Sequence, residues 1–393
     1  MQYYKTESKI AQYELQREGA VHQLKKVLFL IHDLGHGGAE KVLVNLVNNM
    51  DPQQFDITVM SLFDVGINRQ FLSSKVTYKY CFKRMIRGNS HLMKLLSPQA
   101  LHRWLIKDHY DIEVSYLEGP CARVVSGCTD PTTKKIAWIH IEQHTQKDAA
   151  GSFRSYEEAM QAYNKFDRIV CVSKTVQEDF LRLLPVSVPT EVLYNTNESE
   201  KILTLSQEAI EPDLFSDKEL KLIGVGKLLK NKGFHRLVPM IKRLCDEGLP
   251  AHLYILGIGP MKEELERLAA KYGVSNAVTL LGYHTNPYKY VAKCDLFVCA
   301  SYAEGFSTAA TEALIVGTPV CTVEVSGMKE MLGEHNEWGV VTENSDESLY
   351  QCIKRLLEDP ALLAHYQKQT AIRGKAFNTV YTVKAVEEML KVL

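Results

Sequence analysis

The chain lacks a long apolar run. No stretch of its 393 residues approaches about 18 consecutive apolar side chains, so a membrane-spanning helix is excluded. It lacks an excess of either charge. Forty-six Lys and Arg stand against 47 Asp and Glu, for a formal net charge of -1, and no global field points to nucleic acid. It lacks any CxxC pair among its nine cysteines. Cys171, Cys299 and Cys321 lie in apolar runs and read as reduced core thiols of a cytoplasmic protein, supporting neither a disulfide framework nor a zinc site. It lacks an Asp-x-Asp to hold a divalent ion beside a pyrophosphate, so neither metal nor cofactor is expected. Its first residues, Met1-Gln2-Tyr3-Tyr4, lack the apolar core of a signal peptide.

What is present is ordinary globular material: 46% hydrophobic and 24% charged residues, in a length that suggests two domains or more. From Lys26 onward short apolar runs alternate with amphipathic stretches. Strands are expected at 27–31, 56–62, 112–117, 135–140, 167–172, 190–194, 220–225, 252–256, 277–281 and 294–300, with helices between them. That rhythm predicts right-handed βαβ units on parallel sheets. A polar stretch near 195–217 interrupts it. The expected organisation is a helical extension over 1–24, a first Rossmann-like domain over 25–200, a linker over 201–217, a second Rossmann-like domain over 218–376, and a final helix over 377–393. The fold class is α/β, two doubly wound domains facing each other across a cleft.

Glu304 and Glu312 are the most informative pair. An apolar run at 294–300 precedes them, Gly305 permits a sharp turn, and Ser307 suits the N-cap of the Ala-rich stretch that follows. Glu304 is thus expected at the carboxyl end of a strand and Glu312 on the next helix, where open α/β sheets bind ligands. Carboxylates there suit the hydroxyls of a sugar and a ribose. The plainer reading is two surface charges, which would not need the surrounding punctuation.

Other positions carry weaker signals. Asp33 to Lys41 is a glycine-rich turn between strand and helix, and its backbone N–H groups suit an anion. It lacks the third glycine of a dinucleotide fingerprint. Lys227, Lys230 and Lys232 follow a strand and precede a helix without forming a P-loop; Lys227 and Lys232 suit a diphosphate or a solvated cluster. His140 ends a strand and either faces a crevice or is a satisfied core histidine. Glu118 also follows a strand and is a candidate acceptor-side group. Lys79, Lys83, Arg84, Arg87 and Lys94, interleaved with Tyr80, Phe82, Met85 and Leu92, suit an anionic membrane surface, or more simply an exposed loop and helix face.

Taken together these segments resemble a known family. Glu304 to Glu312 is similar to the E-x7-E signature of retaining glycosyltransferases of the GT-B fold, family 4 type. Gly37 to Lys41 resembles its Gly-Gly-Ala-Glu-Arg loop, with Lys41 where Arg is usual. Lys135 to His140 resembles its Lys-Ile-Ala-Trp-x-His strand, Phe166 to Ser173 and Val192 to Thr196 resemble later segments, and Gly226 to Gly233 resembles Gly-Arg-Leu-x3-Lys-Gly. The likeness spans roughly 26–393, with the motifs in order.

The resemblance implies a nucleotide-sugar donor, UDP-linked by family frequency, bound by the second domain. Glu312 would hold the ribose and Glu304 the sugar hydroxyls, within a donor-binding turn that includes Gly305, Phe306 and Ser307. Lys232 would contact the diphosphate. Lys227 stands where the family usually has Arg, keeping the charge but losing the bidentate fork. Gly37 and Gly38 would approach the phosphate, Tyr283 would lie near the base, and His140 near the anomeric carbon. His140, Glu304, Lys232 and Lys227 would be the catalytic groups of a metal-independent transfer with retention. The acceptor would be a saccharide, lipid-linked or protein-linked glycoconjugate of bacterial surface polysaccharide synthesis, met in the cytoplasm or at the inner face of the membrane. The final helix would cross back to the first domain. The competing readings are a catalytically silent protein of the same fold acting as a partner or chaperone, and an epimerase or phosphorylase.

Overall fold

The computed structural model describes residues 24–35, 37–85, 88, 93–211, 214–216 and 218–393. The helix expected over 1–24 lies, but for Leu24, outside the described residues, as do Arg87 and Leu92 of the basic stretch.

Two parallel sheets carry the chain. The first contains β1 (Lys25–Ile31), β2 (Phe55–Phe63), β3 (Thr77–Phe82), β4 (Ile112–Ser115), β5 (Lys134–Ile139), β6 (Arg168–Cys171) and β7 (Thr190–Val192). Their order is β3-β2-β1-β4-β5-β6-β7. The second contains β8 (Leu220–Val225), β9 (Ala251–Leu256), β10 (Val278–Gly282), β11 (Leu296–Cys299), β12 (Val320–Val323) and β13 (Val340–Thr342), in the order β10-β9-β8-β11-β12-β13. Val27 to Ile31 are all buried, because helices cover both faces of a parallel sheet and its central strands need unbroken apolar runs. In each sheet the winding reverses beside the first strand, at β1/β4 and at β8/β11. Ligand crevices open at such switch points, outside the carboxyl ends of the strands.

Three strands depart from the sequence reading. β3 occupies part of the stretch read as a basic loop and helix face. Its mixed, half-exposed pattern marks an edge strand, and Lys79 there pairs with Asp108 at 2.7 Å. β12 and β13, four and three residues long, lie outside the expected strands.

The chain passes between the lobes twice. Residues 193–219 lead from the first sheet to the second and include the helix Ser199–Ser206. After the helix Pro360–Gly374 and a 3-10 turn, Lys375–Phe377, the chain returns as the helix Thr379–Lys391, N-capped by the Asn378 side chain, which accepts from the Val380 N–H. That last helix sits on the first lobe: Lys25 Nζ donates to the Leu390 and Lys391 carbonyls, each at 3.0 Å, and the Asp51 N–H donates to Glu387 at 2.6 Å. The two crossings run side by side. The Ser199 N–H donates to Thr379 Oγ1 at 2.8 Å, and the Thr379 N–H returns a bond to Ser199 Oγ at 3.1 Å. Beside them Phe306 stacks on Tyr194, with ring centroids 5.1 Å apart, and leans on Phe377 at 5.9 Å.

Candidate active site

A pocket of about 520 Å³ lies between the lobes, lined by residues from both, within the range of small-molecule sites. Gly37, Gly38 and His140 reach it from the first lobe. Lys227, Lys232, Tyr283, Glu304, Gly305, Phe306, Ser307 and Glu312 reach it from the second.

Glu304 stands just past β11. Its Oε1 accepts from Lys232 Nζ and from Ser301 Oγ, each at 2.7 Å. Lys232 owes its place to the next residue: Gly233 has φ +70°, and a Cβ on it would meet the Ala300 carbonyl oxygen at 1.9 Å. Only glycine lets the lysine turn pack onto the end of β11. Glu312 is buried on the helix Thr308–Val316, whose N-cap is Ser307, its hydroxyl accepting from the Ala310 N–H. The N-cap expectation holds, and it fixes the helix start that aims Glu312 into the pocket.

Lys227 is exposed on the pocket wall. Its charge reaches across the cleft to Asp33 and Glu40 of the first lobe. Asp33 lies below the usual carboxylate range, chiefly through its bond with His32 Nδ1 at 2.7 Å, while burial raises Glu40. Gly37 caps the helix Gly38–Asn49 without a side chain of its own, and the Glu40 carboxylate of the first turn folds back against it, where a Cβ on Gly37 would meet Glu40 Oε2 at 1.8 Å.

His140 is buried, its ring beside Tyr116 at 4.8 Å. Burial pushes its pKa down to about 3, so the imidazole is neutral. Its Nε2 is buried without a hydrogen-bond partner, and the residue lines the pocket. Gly305 of the other lobe packs against this histidine: a Cβ there would sit 1.8 Å from the His140 carbonyl oxygen.

Two predicted residues are placed differently from the rest. Glu118 does not line the pocket; its carboxylate accepts the His140 N–H at 2.9 Å, behind the strand end, and burial raises its pKa. The Phe306 ring turns to Tyr194 and Phe377, while its carbonyl accepts from Asn195 Nδ2 at 3.1 Å. Phe306 therefore shapes the junction of the lobes. Tyr283 is half-exposed on the pocket wall.

Sequence reasoning missed one contact. Lys41 Nζ, from the first lobe, donates to Glu312 Oε1 at 2.5 Å, with the Tyr288 ring centroid 5.1 Å from the amine. Among the described residues, two groups combine metal-ligand chemistry at close range: His102, Glu113 and Cys128, and Glu142, His144 and Asp179. Neither lines the pocket.

The comparisons with known proteins agree with this geometry. Residues 36–197 match the family described as Glycosyltransferase Family 4, and residues 206–373 match Glycosyl transferases group 1. One relative, from Campylobacter jejuni, is an N-acetylgalactosamine-N,N'-diacetylbacillosaminyl-diphospho-undecaprenol 4-alpha-N-acetylgalactosaminyltransferase. It is 30% identical over 387 residues, covering 94% of this chain and all of that one. A lipopolysaccharide core biosynthesis glycosyltransferase, LpsD of Rhizobium meliloti, is 22% identical over 91% of this chain and 95% of its own. The fold is shared with Anabaena HepE in complex with UDP, at a TM-score of 0.74 and 20% identity, over 94% of this chain and all of that one. Two facing Rossmann-like lobes, the paired glutamates on the second and matches along both halves lead to one conclusion: the chain belongs to the group 1, family 4 glycosyltransferases of the GT-B fold.

Proposed function

We propose that this protein transfers a sugar, with retention, from a UDP-linked donor to a lipid-linked or saccharide acceptor in bacterial surface glycan synthesis. The observation that carries this reading is the convergence of Glu304, Glu312, Lys227, Lys232 and His140 on one interlobe pocket. Carboxylates accept from the ribose and sugar hydroxyls. The ammonium groups face the diphosphate, where each charge-assisted bond is worth about 1.5–3 kcal/mol. The neutral His140 Nε2 accepts a sugar hydroxyl. No side chain is placed as a nucleophile in this scheme. The acceptor oxygen attacks the anomeric carbon on the face the diphosphate leaves, the bond from that carbon to the phosphate oxygen breaks, and the acceptor proton passes to the departing diphosphate. Lys227 and Lys232 stabilise the charge that develops there, with no step assigned to a metal.

A lipid-linked acceptor is supported by the Campylobacter relative, whose name specifies an undecaprenol-linked substrate. It is also supported by the outer face of the first lobe. Exposed Trp104 packs on Phe82 of β3 at 5.4 Å, near exposed Lys83, Arg84 and Arg103. This combination of ring and cations suits an anionic membrane surface.

The test is a panel of UDP-, GDP- and ADP-sugars with undecaprenyl-diphosphate-linked saccharide acceptors, the products read by NMR. An α-linked product from a UDP-sugar is expected. A β-linked product would overturn retention. Failure of every donor to react, with UDP still bound, would favour a silent partner protein.

A further inference from the structure

Glu312, the carboxylate assigned to the ribose, is already held by the opposite lobe. Lys41 rises from the first turn of the helix Gly38–Asn49, crosses the cleft and donates to Glu312 Oε1 at 2.5 Å. The Glu312 side chain is 7% exposed and Lys41 35%. Tyr288, itself buried, completes the cluster. Burial opposes the charge on Lys41, yet Glu312 and Tyr288 outweigh it and raise its pKa above the ordinary lysine value.

A nearly buried carboxylate that loses its counter-ion is left uncompensated. Opening the cleft takes Lys41 away from Glu312, so the bond exists only while the lobes are together. The bond occupies Oε1, and a carboxylate has a second oxygen with its own lone pairs. The lysine therefore fixes the carboxylate's rotamer without using up its capacity to accept.

We infer that Lys41 is a positioning residue that couples closure of the lobes to donor binding, by holding and aiming Glu312 for the ribose hydroxyls. This rests on the assignment of Glu312 to the nucleotide. Closure presents a preset carboxylate to the nucleotide, and the nucleotide favours the closed form through the same carboxylate. Linkage makes the two effects equal. A hydrophobic staple between the lobes would hold them together but would not tie closure to occupancy.

Two measurements test this on the full-length protein. The first is UDP affinity by calorimetry for the wild type, Lys41→Met, Lys41→Arg, Glu312→Gln and the double variant Lys41→Met/Glu312→Gln. Lys41→Met is expected to weaken UDP by roughly 5–150-fold, the usual span of such couplings, and Lys41→Arg to restore most of it. In the Glu312→Gln background the Lys41→Met change is expected to have little further effect, because both act through one carboxylate. The second is small-angle scattering without nucleotide, where Lys41→Met is expected to widen the molecule and Lys41→Arg to leave it compact. Tighter or unchanged UDP binding by Lys41→Met would overturn the inference, as would equal losses in both Glu312 backgrounds, or a compact Lys41→Met protein. Normal UDP binding by Glu312→Gln would instead overturn the nucleotide assignment itself.

Discussion

Glu304 and Lys232 form an ion pair at 2.7 Å, which the proposed donor would share. The carboxylate also accepts from Ser301, so it is held before any sugar arrives. Glu304→Ala is expected to lower kcat/KM by more than about 100-fold, as loss of a group bound to the reacting sugar does, and steady-state kinetics with the preferred donor checks this. Lys232→Ala is expected to weaken donor binding by roughly tenfold to 100-fold, the loss of one charge-assisted bond. His140 gives a pH prediction with a definite sign. Its folded pKa of about 3 lies below the solution value of 6.5 because burial penalises the cation. The stability it contributes is therefore complete above pH 6.5 and is lost as pH falls from there toward 3. The fall in Tm between pH 7 and pH 4.5 is expected to be smaller for His140→Gln than for the wild type, and equal falls would show that the ring is not buried neutral. Most of these residues were legible because each follows an apolar run at the carboxyl end of a strand, where ligand groups gather. Lys41 was not, since its partner lies 271 positions away and nothing local to residue 41 points to it. Glu118 shared the strand-end signal, but its carboxylate turned back to a backbone N–H.

The turn after β11 does several jobs in few residues. Glu304 enters the pocket, Gly305 touches the other lobe, Phe306 enters the aromatic junction and Ser307 caps the next helix. Gly305→Ala places a methyl group 1.8 Å from the His140 carbonyl oxygen, a backbone atom that cannot swing aside. The lobes must then separate at the point where, in the proposed scheme, sugar and acceptor would meet. The expected outcome is a fall in kcat of about tenfold or more with a smaller change in UDP affinity, in keeping with the cost of misplaced reacting groups. A variant with unchanged kcat would show that the lobes do not need this approach. The periodic elements were legible wherever a run was long enough to show its period, as at β1, β8, and the helices Phe234–Asp246 and Asp346–Glu358. β13 is half-buried throughout and β3 is half-exposed at the sheet edge, so neither shows a buried run or a contrast between its two faces. The lysine and tyrosines of β3 read as surface chemistry because that is where an edge strand places them.

At the scale of the whole molecule, the alternation of strands and helices announced two doubly wound lobes, and the switch points of the two sheets put the cleft between them. The packing of the last helix on the first lobe depended on contacts such as Glu387 with the Asp51 N–H, pairs too distant in sequence for local patterns to reveal. The crossing itself is testable. Thr379→Val removes the hydroxyl that bonds Ser199, Asn197 and Glu200. It is expected to cost about 1–3 kcal/mol, the penalty for buried groups left unpaired, and to lower Tm by several degrees in scanning calorimetry. An unchanged Tm would show that these bonds contribute nothing. Because the outgoing and returning stretches lie against each other at Ser199 and Thr379, the second lobe is an insertion with adjoining ends. Such an arrangement makes it a cartridge: if the proposed division of labour holds, the segment between the crossings, exchanged as a block with that of another family member, would import a new choice of activated sugar while acceptor preference stayed behind with the first lobe.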